Sequence, residues 1–203
     1  MKPPAWGQLL PGFSNPVFES QATFRQILKA LSYPGRVVPM PAAQAAPNPL
    51  YPTTGAVCLT LLDLETPLWV DYGKTAEMVD WLRFHCGCPI VEAPSLASFG
   101  IFTKPGSEID LEPFSPGEEE FPERSATLLI QVEGFISGTG RTFIGPGIRS
   151  QERIAIEGLT EAFWKAWDLN HHRYPLGIDV LFLSREAIVG LPRTTRVMES
   201  SCT

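Results

Sequence analysis

His85-Cys86-Gly87-Cys88 sets an imidazole beside two thiols placed two residues apart, which on an extended strand face the same way and make a metal-like cluster. A further ligand would come from afar, from His171 or His172, the remaining histidines. The competing reading is a helix ending in His, followed by small buried thiols at a helix-to-strand junction, and no metal is assigned on this cluster. Asp63 and Asp179 adjoin apolar segments, where desolvation turns a carboxylate into a base; alternatively they cap turns and accept backbone hydrogen bonds. None of the five lysines directly follows a strand: Lys29 lies off the apolar face of the first helix and Lys104 belongs to a Lys-Pro-Gly turn, so a Schiff-base lysine lacks support.

A second set of groups is cationic or glycine-rich. Tyr33-Pro34-Gly35-Arg36, Ser125-Ala126-Thr127, Gly140-Arg141, Gly145-Pro146-Gly147-Ile148 and Leu191-Pro192-Arg193-Thr194-Thr195-Arg196 each put a hydroxyl, a free backbone amide or a guanidinium in a turn. Such groups bind phosphate or phosphonate oxygens through oriented amides and bidentate arginine donors. Arg36, Arg141, Arg193 and the amides of Gly145 and Gly147 are the candidate oxyanion-binding set, an assignment that requires two or more of these turns to converge. The alternative is that Pro-Gly and Pro-Arg turns fix the fold or its interfaces. Catalytic residues are not identifiable. No Gly-x-x-x-x-Gly-Lys-Ser/Thr loop, Gly-x-Gly-x-x-Gly turn or Gly-x-Ser-x-Gly elbow occurs, which argues against an autonomous NTPase, a dinucleotide oxidoreductase or an esterase.

The elements that position these groups follow from periodicity. Ser20 is a candidate N-cap, with Phe24, Ile27, Leu28 and Leu31 on the inner face of a helix that Pro34-Gly35 stops, and Phe13 and Phe18 packing back as a staple. Proline-rich residues 39–53 read as an extended crossing segment. Thr54–Leu62 reads as a buried helix, Pro67–Val70 as a strand, and Thr75 as the cap of a helix running to His85 with Met78, Trp81 and Leu82 inward. Cys88–Val91, Ser98–Thr103, Thr127–Val132, Gly177–Leu183 and Ala187–Leu191 read as strands, with a short apolar run at Thr142–Ile144. Ile156, Leu159, Phe163 and Trp167 form the stripe of a helix that ends near Asn170-His171-His172. Alternating helices and strands predict an α/β fold, a three-layer α/β/α domain around a mixed sheet, spanning 1–203 as one unit.

Composition narrows the class. With 203 residues, 44% of them hydrophobic, the chain suffices for one sizeable core. A formal charge of −6 sets it against a nucleic-acid partner. Seven acids and no Lys or Arg fall between Glu108 and Glu123, a segment broken by Pro113, Pro116, Gly117 and Pro122 that reads as a solvated loop or a contact for a basic protein. With no long apolar run and no signal-peptide pattern, a cytoplasmic protein without membrane contact is expected, its cysteines at 58, 86, 88 and 202 reduced.

The same segments, in order, resemble the PhnH family of phosphonate metabolism proteins, a component of the bacterial carbon-phosphorus lyase complex. The resemblance is carried by Gly12-Phe13, Pro16-Val17-Phe18, Ser20-Gln21, Phe24-Arg25, Tyr33-Pro34-Gly35-Arg36, Leu59-Thr60-Leu61-Leu62-Asp63 with Glu65-Thr66, and Arg83-Phe84-His85 with Gly87-Cys88-Pro89. It continues through Phe121-Pro122-Glu123-Arg124-Ser125-Ala126-Thr127, Gly145-Pro146-Gly147-Ile148, Tyr174-Pro175-Leu176-Gly177-Ile178-Asp179 and Leu191-Pro192-Arg193-Thr194-Thr195, with Tyr174 standing where the family has Phe. The resemblance implies a fold like a reduced large domain of pyridoxal-phosphate-dependent transferases without the cofactor lysine, and no pyridoxal phosphate or other cofactor. It implies a homodimer docked on the other core subunits G, I and J, supporting transfer of the ribose triphosphate of ATP to a phosphonate with release of adenine, and a phosphonate or phosphate ligand. It also implies that a separate iron-sulfur radical subunit cuts the carbon-phosphorus bond. A free-standing enzyme or binding protein for a phosphorylated metabolite is the alternative class.

Overall fold

The computed structural model describes residues 9–41, 45–71 and 73–198. In chain order the elements are α1 (Pro16–Ser32), β1 (Val38–Pro39), α2 (Pro52–Leu61), β2 (Leu68–Val70), α3 (Ala76–His85), β3 (Ile90–Val91), β4 (Phe99–Phe102), β5 (Thr127–Gln131), β6 (Phe135–Ile144), β7 (Glu152–Ile156), α4 (Glu161–His171), β8 (Asp179–Leu183), β9 (Ala187–Leu191) and β10 (Arg196–Met198).

Seven strands form a mixed sheet in the order β1-β9-β8-β5-β4-β2-β3. Strands β3, β2, β4, β5 and β8 run parallel, and β9 reverses to pair antiparallel with both β8 and β1. Central strands of a parallel sheet are covered on both faces, so they carry continuous apolar runs rather than alternation. Leu128-Leu129-Ile130 and Val180-Leu181-Phe182-Leu183 are such runs, and all are buried. Leu129, Leu181 and Leu183 meet Ile27 of α1, Val57 of α2 and Trp81 of α3 on one face. Leu128, Ile130, Val180 and Phe182 meet Phe163 and Trp167 of α4 on the other, together with Phe143 and Ile154 from a second sheet. That second sheet is antiparallel, ordered β10-β6-β7. The α/β class and the mixed sheet are as expected, but the outer layer on the α4 side is part helix and part sheet.

Three expectations need correction. Asn15, not Ser20, precedes α1, and Pro16 occupies the first turn where its missing N–H costs nothing. Phe18 thus lies inside the helix and exposed, instead of acting as a staple. The buried face of α1 is Thr23, Ile27 and Ala30, while Phe24 and Leu28 are 44% and 48% exposed. Ile27 is buried and Leu31 packs on the core as expected, but Ala30 replaces a large side chain because α1 approaches β9 closely: a Cβ on Gly190 would sit 2.5 Å from the Ala30 carbonyl oxygen. Finally, Ile156 ends β7 rather than joining the α4 stripe; Gly158, at φ +92°, breaks the chain, and α4 starts after Thr160, whose hydroxyl accepts from the Phe163 amide. Thr75 caps α3 as expected, accepting from the Met78 amide at 3.2 Å.

Buried indoles are partnered: Trp81 Nε1 donates to the Leu10 carbonyl at 2.9 Å, and Trp167 Nε1 to the Thr195 carbonyl at 3.1 Å. Gly190→Ala is expected to lift α1 from the sheet and lower the unfolding free energy by about 1–3 kcal/mol, as overpacking does. A urea titration would check this, the midpoint falling with an unchanged slope.

Candidate functional site

Arg193 follows Pro192 at the end of β9, and its backbone amide donates to Asp179 Oδ1 at 2.7 Å. Its guanidinium grips the same carboxylate twice, Nε to Oδ1 at 3.2 Å and Nη2 to Oδ2 at 2.6 Å. Nη2 also donates to Ser125 Oγ, while Nη1 donates to the carbonyls of Pro122 at 2.8 Å and Pro175 at 3.5 Å. A guanidinium has five N–H donors in a fixed fork, and each is taken. With its side chain only 13% exposed, Arg193 forms the floor of a groove of about 370 Å³ edged by Pro122, Tyr174, Pro175 and Thr194. Asp179, the candidate base, is thereby the acceptor in this clamp.

The turn at Gly145–Gly147 lies against the chain just beyond Arg193. A Cβ on Gly145 would meet the Thr194 carbonyl at 2.9 Å, and one on Gly147, at φ +81°, would fall on the Ser32 carbonyl. The Tyr33–Arg36 turn meets the same patch: a Cβ on Gly35 would lie 3.0 Å from Phe143 and 3.2 Å from Glu152, and its amide donates to the Gly190 carbonyl at 3.3 Å. Thus Arg36, Gly145 and Gly147 do converge. Arg36 lies over the Tyr33 ring at 5.0 Å, with Nε 4.0 Å from Glu152 Oε2. Arg141 points elsewhere, hydrogen-bonded to Glu161 and 5.1 Å over the Trp164 ring beside a cleft of about 400 Å³. Each of the three candidate arginines therefore carries a carboxylate: Glu152, Glu161 or Asp179.

Asp179 and Thr127 open β8 and β5, so the Arg193 clamp sits at the amino ends of the parallel strands. Open α/β sheets usually bind ligands at the opposite, carboxyl ends. There the sequence reading missed a polar network. Asp71, just after β2, accepts from Thr103 N at 2.9 Å, Thr103 Oγ1 at 2.7 Å and Gly73 N at 3.1 Å. Gln131, ending β5, accepts from the Tyr51 amide at 2.6 Å and donates to the carbonyls of Pro49 at 3.0 Å and Thr103 at 2.5 Å. Arg185, in the β8–β9 turn, stacks on Tyr51 at 4.4 Å. The signal was available: a glutamine closing an all-apolar strand run, and an aspartate directly after a strand, both mark a strand's carboxyl end.

The histidines do not join the thiols. His85 Nε2 lies 3.0 Å from the Leu10 carbonyl, its ring against Trp81 and Phe84, and His171 and His172 close α4 in the opposite layer, on the carbonyls of Arg193 and Asp168. Among the described residues no three His, Cys, Asp or Glu side chains are arranged to hold a metal ion. Asp63 holds a turn, its carboxylate accepting from the Glu65 amide at 2.9 Å. Cys58, Cys86 and Cys88 are free thiols; Cys202 lies outside the described residues. Burial, first, and then Cys88 push the Cys58 thiol up. The four lysines among the described residues, Lys29, Lys74, Lys104 and Lys165, are all exposed.

A mixed sheet covered on both faces, with its strand-end polar groups engaged by one another, defines a protein of the α/β class. Comparison with known proteins places it further. A family model for the bacterial phosphonate metabolism protein (PhnH) matches residues 11–198, so the chain belongs to that family. It is 35% identical over 195 residues to the alpha-D-ribose 1-methylphosphonate 5-triphosphate synthase subunit PhnH of Rhizobium meliloti (strain 1021), covering 95% of this chain and 98% of that one. It is 32% identical over 177 residues, 87% of this chain and 85% of the other, to HtxG of Stutzerimonas stutzeri, a protein named as a candidate C-P lyase subunit.

Arg193→Ala is expected to lower the unfolding free energy by about 3 kcal/mol, because Asp179 loses its partner in a largely enclosed site. Arg193→Lys recovers little, since an ammonium cannot reproduce the fork. Arg36→Ala, whose partner is at the surface, costs less than about 1 kcal/mol in the same urea titrations.

Proposed function

We propose that this chain is a subunit of the bacterial carbon-phosphorus lyase machinery, supporting transfer of the ribose triphosphate of ATP to a phosphonate with release of adenine. The observation that carries the reading is the near full-length similarity to a ribose 1-methylphosphonate 5-triphosphate synthase subunit. In this reading the chain is a dimeric scaffold docked on subunits G, I and J in the cytoplasm, with no pyridoxal phosphate or other cofactor of its own. Exposure of every described lysine supports that, because a Schiff-base lysine works from a desolvated pocket. No helix among the described residues is long and apolar enough to cross a membrane.

Scaffolding needs surfaces, and the outer face of α1 offers one, with Val17, Phe18, Phe24 and Leu28 exposed. We assign the dimer contact to this face. For a phosphonate or phosphate ligand the proposed surface is Arg36 with the Gly145–Gly147 turn, where an anion exchanges for the loose Glu152 contact. Arg193 supports its edge through the Asp179 pair, whereas Arg141, turned away to Glu161, takes no part in it.

Reconstitution of the complex with and without this chain is the test: omission is expected to abolish both assembly and ribosyl-triphosphate transfer. Conversion of ATP and methylphosphonate by the isolated chain would sink the scaffold reading in favour of a free-standing enzyme. Arg36→Ala is expected to weaken phosphonate binding by about tenfold, one charge-assisted hydrogen bond at an exposed site, with assembly intact. Paired Phe24→Asp and Leu28→Asp substitutions are expected to shift the sedimentation coefficient from dimer to monomer.

A further inference from the structure

Cys86 is the C-cap of α3, its sulfur 3.6 Å from the Cys58 carbonyl, and Cys88 lies just before β3 at the edge of the main sheet. Between them Gly87 adopts φ +71°, a turn that a Cβ would push against Leu64 at 2.8 Å. Two residues span at most about 7 Å of chain. The turn shortens that span, bringing the pair within disulfide reach, about 4.4–6.8 Å between Cα atoms. The two thiols are close enough for each to shift the other's ionisation, Cys86 upward and Cys88 downward. Cys88 is buried and Cys86 half-buried, so an incoming reagent meets Cys86 first.

We infer that Cys86 and Cys88 are a reversible modification site, a dithiol that closes to a disulfide when it meets a low-molecular-weight disulfide such as glutathione disulfide. The inference is independent of the subunit reading. Their proximity favours one shared thiolate: Cys86 holds the Cys88 thiol below the usual range, and Cys88 raises that of Cys86. Arg83 supports the thiolate, while Asp63 opposes it.

The proton of Cys86 passes to Cys88, and the Cys86 sulfur attacks one sulfur of the oxidant. The oxidant's S–S bond breaks, and one glutathione leaves as thiolate, taking up a proton. Cys88 then gives its proton to water and attacks Cys86 Sγ, expelling the second glutathione. A thiol, a thiolate and one disulfide become one protein disulfide and two glutathiones; the protein pair loses two electrons and one proton, the oxidant gains the electrons, and the departing thiolates take up that proton and one more from solvent. The ring so closed is small, and small strained disulfides are the readily reduced ones, which suits a reversible site.

The test treats the reduced, folded full chain with glutathione disulfide, then alkylates remaining thiols and maps tryptic peptides by mass. Cleavage after Arg83 and Arg124 leaves Cys86 and Cys88 on one peptide, with Cys58 and Cys202 on others. The expected product has lost two alkylatable thiols, carries no glutathione and has its bond within the 84–124 peptide. Cys88→Ser is expected to stop at a glutathione adduct on Cys86, and Cys58→Ser to close as the wild type does. A lasting adduct on the wild-type chain, a bond to Cys58 or Cys202, or no reaction in the folded state would overturn the inference. The wild-type map decides even where a variant fails to fold.

Discussion

The pairing of Arg193 with Asp179 is the constraint on which the rest of the arrangement turns. It joins the first residue of β8 to the exit of β9, and through Pro122, Ser125 and Pro175 it anchors the two loops that lead into β5 and β8. Those loops make turns of their own, such as the Arg124 amide on the Phe121 carbonyl at 3.1 Å and the Leu176 amide on the Arg173 carbonyl at 2.9 Å, but prolines at 122 and 175 remove two backbone donors. One guanidinium supplies the missing donors. Two central strands thereby acquire a fixed start, and the apolar runs between Leu128 and Ile130 and between Val180 and Leu183 fall into register with the helices on each face.

Much of this was legible in the sequence. The central strands could be read because burial on both sides leaves only apolar residues, and α3 because Thr75, Met78, Trp81 and Leu82 combine a cap with a clean inner face. The antiparallel sheet was not legible. β6 is exposed over residues 136–139, and it carries Gly138 and Gly140 at positive φ within a register shift against β7 between Ser137 and Arg141, so neither alternation nor an apolar run marks it. The face of α1 was misjudged because periodicity counts hydrophobic side chains. The decisive quantity was how closely a helix could approach Gly190.

The candidate site was legible in its parts and not in its pairings. Sequence identifies Arg36, Arg141 and Arg193 as cations in or beside turns; it does not reveal that Glu152, Glu161 and Asp179 each sit opposite one of them, since those partners lie 14 to 116 positions away in sequence. A cation already matched to a carboxylate is a weaker claim on an incoming phosphonate than a free one. That balance fits a chain whose family is known by subunit names, and it shifts attention to surfaces such as the outer face of α1.

Gln131 makes a different point. The segment leading into α2 crosses the carboxyl ends of the strands without becoming a strand, and its prolines at 47, 49 and 52 offer no amide to any neighbour. The side-chain amide of Gln131 does what a neighbouring peptide group would do, receiving the Tyr51 amide and donating to the Pro49 carbonyl. Gln131 thus acts as a surrogate peptide group for the crossing, beside the Thr75 hydroxyl on the Asn48 carbonyl at 2.9 Å and Arg185 over the Tyr51 ring. The spacing from Pro49 to Tyr51 is set by the reach of one glutamine.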